Sequence, residues 1–497
     1  MTETSFPAAG PDTVGVRGTA GVPAQAGPLE RTFHEGASLF ALLSTVRSRR
    51  VGTGYRIDAG AGEPHPVTGR PLPGGEGPQR FVSARAPQPL GADEKALLAW
   101  ATCGPNGIVA WEAAASGSFH QLAGTRGRTA PEPNNTLATD LLVVDDDGVH
   151  LYRPAAPWPQ PGHAVGPAEV REFWRTGLVT LSPARPDLDA ALRLPAAPRT
   201  PLLGTHQDNF NRPGSVWFLP VTDAGRLLSG VLDLFAGKRC YVVDDFSGDV
   251  PAGLERFVRS GLLDHPVPLS AYEAGILRTS TYPAGCMVQN TRLAAEAMGL
   301  GAWCLSGYDT AVVFGAHPEV TAGLGFTVGP VNPAAPLPAG RRHTHALGDA
   351  KTSTSVPSPR YPDARTLVQS WFDERYGAGA WGDPEHGLLT GPESPWPAER
   401  GRVLAQHPAT RLPDWVWEAA EAYVGYCVER FGQFPVTYDP MLAGFGTVVH
   451  HVDTDYYDDH LRPGYVTPAV RRHDETWHDS PQTPASGSGR QSRRSSP

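Results

Sequence analysis

The densest patterned stretch of the chain runs from about Pro283 to Met298 and stops abruptly at Gly299-Leu300-Gly301. Its spacing predicts a helix with Gln289, Arg292 and Glu296 on one face and Leu293, Ala297 and Leu300 on the other. Ala294, Ala295 and Ala297 are small enough to let a neighbouring element approach closely. Gly299 can adopt the positive φ of a helix C-cap, which a side chain would oppose. On patterning alone this is a buried helix with a glycine stop. The exit that follows, Ser306-Gly307-Tyr308-Asp309, suits a helix that presents a loop to a flat ligand.

The rest of the chain limits what can surround that helix. Glycine (56) and proline (51) punctuate the 497 residues, so short elements and many loops are expected. A net charge of −9 and a pI near 6.0 argue against a nucleic-acid binder, which would show a basic surface. No apolar run approaches the roughly 18 residues of a membrane span. The start, Met1 to Gly15, lacks the basic and apolar segments of a signal peptide. The five cysteines (Cys103, Cys240, Cys286, Cys304 and Cys427) are widely spaced with no Cys-x-x-Cys, so neither a zinc knuckle nor a disulfide framework is readable. The expectation is a soluble, cytoplasmic protein with neither nucleic-acid nor membrane partners.

Helices and strands mix along the chain without a repeat. Ser38 to Arg50 and Gly91 to Thr102 read as helices, the second with Asp93 and Glu94 where the helix dipole favours them. Asp140 to Pro154 reads as two strands around an Asp-Asp-Asp-Gly turn. Gly214 to Asp223 and the Gly-Leu-Gly-Phe-Thr-Val segment near Phe326 read as further strands. The expected layout is a disordered arm at 1–30, a main α+β domain at 31–335 with an enlarged middle (about 155–262), and a linker at 336–362. A helical C-terminal extension at 363–479 and a disordered tail at 480–497 complete it.

The helix and its exit resemble the nitroreductase-like flavoprotein family. The matching residues are Gln289, Asn290, Leu293, Ala294, Ala295, Gly299, Leu300 and Gly301, then Cys304 to Asp309. A second match is the run Arg49, Arg50, Val51, Gly52, Thr53, Gly54, Tyr55, which is similar to the family's Arg-Arg-Ser-x-Arg-x-Phe. Here Val51 replaces the serine and Thr53 the later basic residue. The order of elements is closest to the thiazole-oxidase-like branch, over about residues 36–330. The resemblance implies a central, antiparallel-rich sheet flanked by helices, a homodimer, and FMN bound by Arg49, Arg50, Thr53, Leu305, Ser306, Gly307 and Arg341. It implies flavin-dependent redox chemistry on a small conjugated molecule or a modified peptide, with Asn134 and Tyr308 near the substrate. Lysine is scarce (Lys95, Lys238 and Lys351), so arginine must hold any phosphate.

Two other classes stay open. A flavin-free relative would keep the fold as a binding scaffold. A metal-dependent enzyme would use the His/Asp-rich run His450 to His460 (HHVDTDYYDDH), where a continuous helix would place His451, Asp455 and Asp459 on one face with His450 adjacent. A polar helix end with Tyr456 and Tyr457 packed inward gives the same string, and no metal ligand is assigned from it. Neither a Walker loop nor a G-x-S-x-G elbow occurs, and Cys304 stands where a dinucleotide fingerprint needs its last glycine.

Overall fold

The computed structural model describes residues 27–35, 38–58, 77–109, 126–132, 136–154, 158–187, 211–248, 250–306, 310–316, 318–319, 321–330, 332, 335–336, 342–347, 353–407 and 411–478. Among them the Asp-Asp-Gly hairpin forms as its sequence dictates. Thr139–Asp145 and Gly148–Tyr152 pair antiparallel, with Asp145 opposite Gly148, whose φ of 133° needs a residue without a side chain. This hairpin anchors an antiparallel sheet. Its order is Gly301–Leu305, Gly446–His450, Val216–Asp223, Thr139–Asp145, Gly148–Tyr152 and Leu178–Ser182, and the short Met441–Leu442 strand also pairs with Val216–Asp223.

Alternation along the strands sends apolar side chains to both faces. Leu141, Val143 and Phe218 pack with Leu97, Leu98, Met287 and Met298 from two helices, Ala92–Cys103 and Leu269–Met298. Leu142, Val144 and Trp217 pack on the other face with Trp303, Phe314 and Phe326. With both faces covered, Thr139–Asp145 is buried along its whole length. The architecture is α+β with an antiparallel central sheet.

The helix expected from Pro283 begins much earlier, at Leu269, and carries Pro283 inside it. Proline removes one backbone donor there without stopping the helix, because Ser280, Pro283, Ala284 and Met287 are buried and held by packing. Gly299 ends it as the sequence requires, with φ 82° and its N–H bonded back to the Ala295 and Glu296 carbonyls. A Cβ at Gly299 would collide with the Ala469 carbonyl. Gly299→Ala combines that clash with left-handed strain, so a loss of at least about 2 kcal/mol is expected in urea unfolding.

Three expected boundaries are placed differently. The arm's last residues enter a helix, Pro28–Glu35, whose Leu29 is fully buried. Arg171 ties this helix down, with Glu30 at 2.6 Å and Asp93 at 2.7 Å. The expected linker holds a strand, Arg342–Leu347, paired with Phe326–Pro330. It also holds a buried segment in which Val356 and Phe434 exchange backbone hydrogen bonds of 3.0 and 2.8 Å. Backbone pairing orders these residues despite their polar composition. The C-terminal part is not a separate helical extension. Val356, Trp371, Val416, Tyr423 and Phe434 share one core with Val231, Phe235 and Leu269, and Gly446–His450 sits inside the central sheet. Residues 1–26 and 479–497, which include nearly all of the expected arm and tail, lie outside the described residues.

Candidate functional site

The Arg49-to-Tyr55 run lies against the strand that follows the long helix. Ser48 bridges Ala302, and Gly52 bridges Val452 on the other side. Two segments some 250 residues apart, both singled out from sequence, are therefore neighbours. Within this arrangement Arg49 is almost fully buried. Its Nη1 lies 2.5 Å from Glu296 Oε2, and its Nε and Nη2 donate to the Tyr465 carbonyl at 3.3 and 3.0 Å. Its charge is already balanced by the long helix, so Arg49 is not an open phosphate ligand. The guanidinium of Arg50 stacks over Trp303, 5.4 Å from the ring centroid. Leu305 is buried at the end of its strand and Ser306 is exposed beyond it. Gly307, Tyr308, Arg341 and Asn134 lie outside the described residues.

A cleft of about 440 Å³ opens beside Arg49, lined by Ser44, Thr45, Arg47, Arg462, Tyr465 and Thr467 among others. Arg47 and Arg462 bring positive charge to it. Thr467 Oγ1 is buried there with no hydrogen-bond partner. Arginines with hydroxyl groups are the chemistry that recognises a phosphate or carboxylate.

Thr53 faces a different place. Its N–H donates to the His451 carbonyl at 3.0 Å, and it lines a second cleft of about 170 Å³ with Arg85, Gln88, His451, His473 and Asp474. The expected partnership of His451 with Asp455 and Asp459 is not found. His451 precedes the Thr454–His460 helix, directly after the Gly446–His450 strand, so the three do not share a helical face. Asp453 caps that helix, and Tyr457 packs inward, where its hydroxyl accepts from Val51 N at 3.0 Å.

Instead His451 meets Glu94, His473 and His478, and the four ligand atoms all lie within 4.8 Å of one another. Glu94 comes from the first turn of Ala92–Cys103, where its Oε2 accepts from Gly91 N at 2.5 Å as a capping box. His473 starts the short His473–Trp477 helix and His478 follows its end. Glu94, His451 and His473 are buried, and His478 is 28% exposed. Burial pulls the His451 imidazole down to about 3 against the pull of the Glu94 charge, so at neutral pH the ring is uncharged. Burial also opposes the charge on Glu94, but the contact with His473 and the Gly91 N–H outweigh it and leave its carboxyl below the usual range. His450, one residue away, points elsewhere, its ring against Tyr55.

Reading along the chain missed Glu94, His473 and His478 as a group. Glu94 explains itself as a helix-dipole residue, and nearly four hundred residues separate it from His473, so no local motif exists. The available signal was the pair His473 and His478 close behind His451.

No family model matches this chain, and no curated protein matches it. Three solved chains do. One, from Ralstonia eutropha JMP134 and provisionally described as a nitroreductase, is 17% identical over 55% of this chain and 72% of its own, with a TM-score of 0.25. At that TM-score the likeness carries no argument about cofactor or substrate.

Proposed function

We propose that the chain is an FMN-dependent oxidoreductase of nitroreductase-like type, acting on a small conjugated molecule or a modified peptide. The observation that supports this best is the cationic cleft beside Arg49, which borders the segment whose sequence suggested a flavin phosphate site. Arg47, Arg462 and the orphaned Thr467 hydroxyl fit a phosphate. In this reading Arg49 has a supporting role, since its charge is held by Glu296. The Arg50–Trp303 stack and the end of the Gly301–Leu305 strand lie along the same segment, where Leu305 and Ser306 would border the ring. When bound, FMN supplies hydride transfer, and the protein binds and orients it. A homodimer fits the Leu39–Thr45 helix, which exposes Leu39, Phe40 (83%) and Leu43 and buries none of its residues.

The test is the visible absorption spectrum of purified protein with and without added FMN, followed by gel filtration. A flavin band near one per chain is expected, with FMN affinity falling at least tenfold in Arg47→Ala and Arg462→Ala. The same column reads the oligomeric state. A colourless protein that takes up no FMN would leave the flavin-free binding scaffold as the reading.

A further inference from the structure

We propose that Glu94, His451, His473 and His478 form a zinc-type divalent metal site that fastens the C-terminal segment to the central sheet and the Ala92–Cys103 helix. The site stands independently of the flavin reading and shares none of its cleft.

Several buried polar atoms at this spot lack partners. Glu94 Oε1, both ring nitrogens of His451, and Nε2 of His473 and His478 are buried and make no hydrogen bond. Leaving so many polar atoms unmatched in one buried spot is unfavourable unless something sits among them. The tautomer of His473 sharpens the point. Its Nδ1 lies 2.7 Å from the Met298 carbonyl. Met298 is the last residue of its helix, so that carbonyl has no helical partner and can accept only from outside. Nδ1 therefore carries a proton, and Nε2 is the ring atom turned toward the cluster. There it lies 2.9 Å from Glu94 Oε1 without the alignment of a hydrogen bond. A proton or a divalent ion could satisfy that one contact, but only an ion also serves the orphaned nitrogens of His451 and His478 beside it.

The remaining spacing agrees. His478 Nε2 lies 3.9 Å from Glu94 Oε1, and His451 Nε2 lies 3.9 Å from Glu94 Oε2. Ligands at roughly 2.0–2.1 Å from a tetrahedral ion stand about 3.4 Å apart, between the 2.9 and 3.9 Å seen here. Three imidazoles and one carboxylate select a borderline ion such as Zn²⁺ over Mg²⁺ or Ca²⁺, which take oxygen ligands. Outer partners are in place too, with the Met298 carbonyl behind His473 and the Gly91 N–H behind Glu94. His451 and His473 line the 170 Å³ cleft, which gives the ion a way in. Four protein ligands fill a tetrahedral shell, so this ion is structural rather than a site of chemistry.

The experiment uses the full chain without an added histidine tag, dialysed against EDTA and then titrated with Zn²⁺. Expected are one equivalent bound per chain, a raised melting temperature, and the reversal of that rise by EDTA. His478→Ala removes the most exposed ligand and leaves the buried three, so the fold tolerates it. Its zinc affinity should fall by more than the roughly tenfold to hundredfold that loss of an outer partner brings. The exposed His386→Ala serves as control and should bind as wild type. Wild-type protein that takes up no zinc and melts identically with Zn²⁺ and with EDTA would overturn the proposal. So would His478→Ala binding zinc as tightly as wild type.

Discussion

Replacing Glu296 with Gln is expected to destabilise the fold by about 3–5 kcal/mol, read as a lower urea midpoint at unchanged slope. The carboxylate and Arg49 are both almost fully buried. Removing the negative partner strands a guanidinium that can neither reach water nor lose its proton. Arg49→Met should lose a similar amount, because Glu296 and the Tyr465 carbonyl then lack their donors. The double variant Arg49→Met/Glu296→Leu should lose less than the sum of the two, since it removes both charges and leaves only the Tyr465 carbonyl unmatched. This experiment also separates two roles for Arg49. A phosphate ligand would lose cofactor affinity at unchanged stability, whereas the observed pairing predicts that stability falls first.

The second large effect is at Glu273, a fully buried carboxyl on the long helix. It accepts from Val436 N at 2.9 Å, from Thr437 N at 2.6 Å and from the Thr437 hydroxyl at 2.5 Å. Glu273→Ala leaves two backbone donors unmatched, each worth about 1–3 kcal/mol, and opens a cavity. A loss of about 3–5 kcal/mol is expected. The pH dependence has a definite sign. Burial pushes the Glu273 carboxyl above its usual value, against the three donors. A raised folded pKa means the folded chain holds the proton more tightly than the unfolded one. The contribution is then complete below the unfolded value, about 4.3, and is lost as pH rises through the folded pKa. Stability of wild type relative to Glu273→Gln should fall as pH rises through that window. A flat difference between the two across the acid range would contradict the assignment.

Much of the fold was legible wherever the signal was local. The Asp-Asp-Gly hairpin and the Gly299 stop are written in adjacent residues, and both form. The long helix was read too short because a proline looks like a start, and only packing shows that it is tolerated. The Gly446–His450 strand was hidden for a different reason. Buried on both sides, it shows no alternation, and it lies between polar and aromatic residues that suggested a helix. The four-residue cluster was only partly legible, because His451, His473 and His478 lie close together in sequence whereas Glu94 comes from a helix near the start. Arg49 illustrates the converse. Its motif singled out the segment, but nothing in the sequence near it announces Glu296 as its partner.

The position of Gly446–His450 also has a consequence for how the chain is made. The strand is flanked by Gly301–Leu305 and Val216–Asp223, both translated long before it. Until residue 446 has been made, the edges that meet this strand on those two neighbours lack it as a partner. The sheet therefore closes only through contacts distant along the chain, and folding of this kind is slow. While the sheet is incomplete, open edges of this kind can pair with other chains.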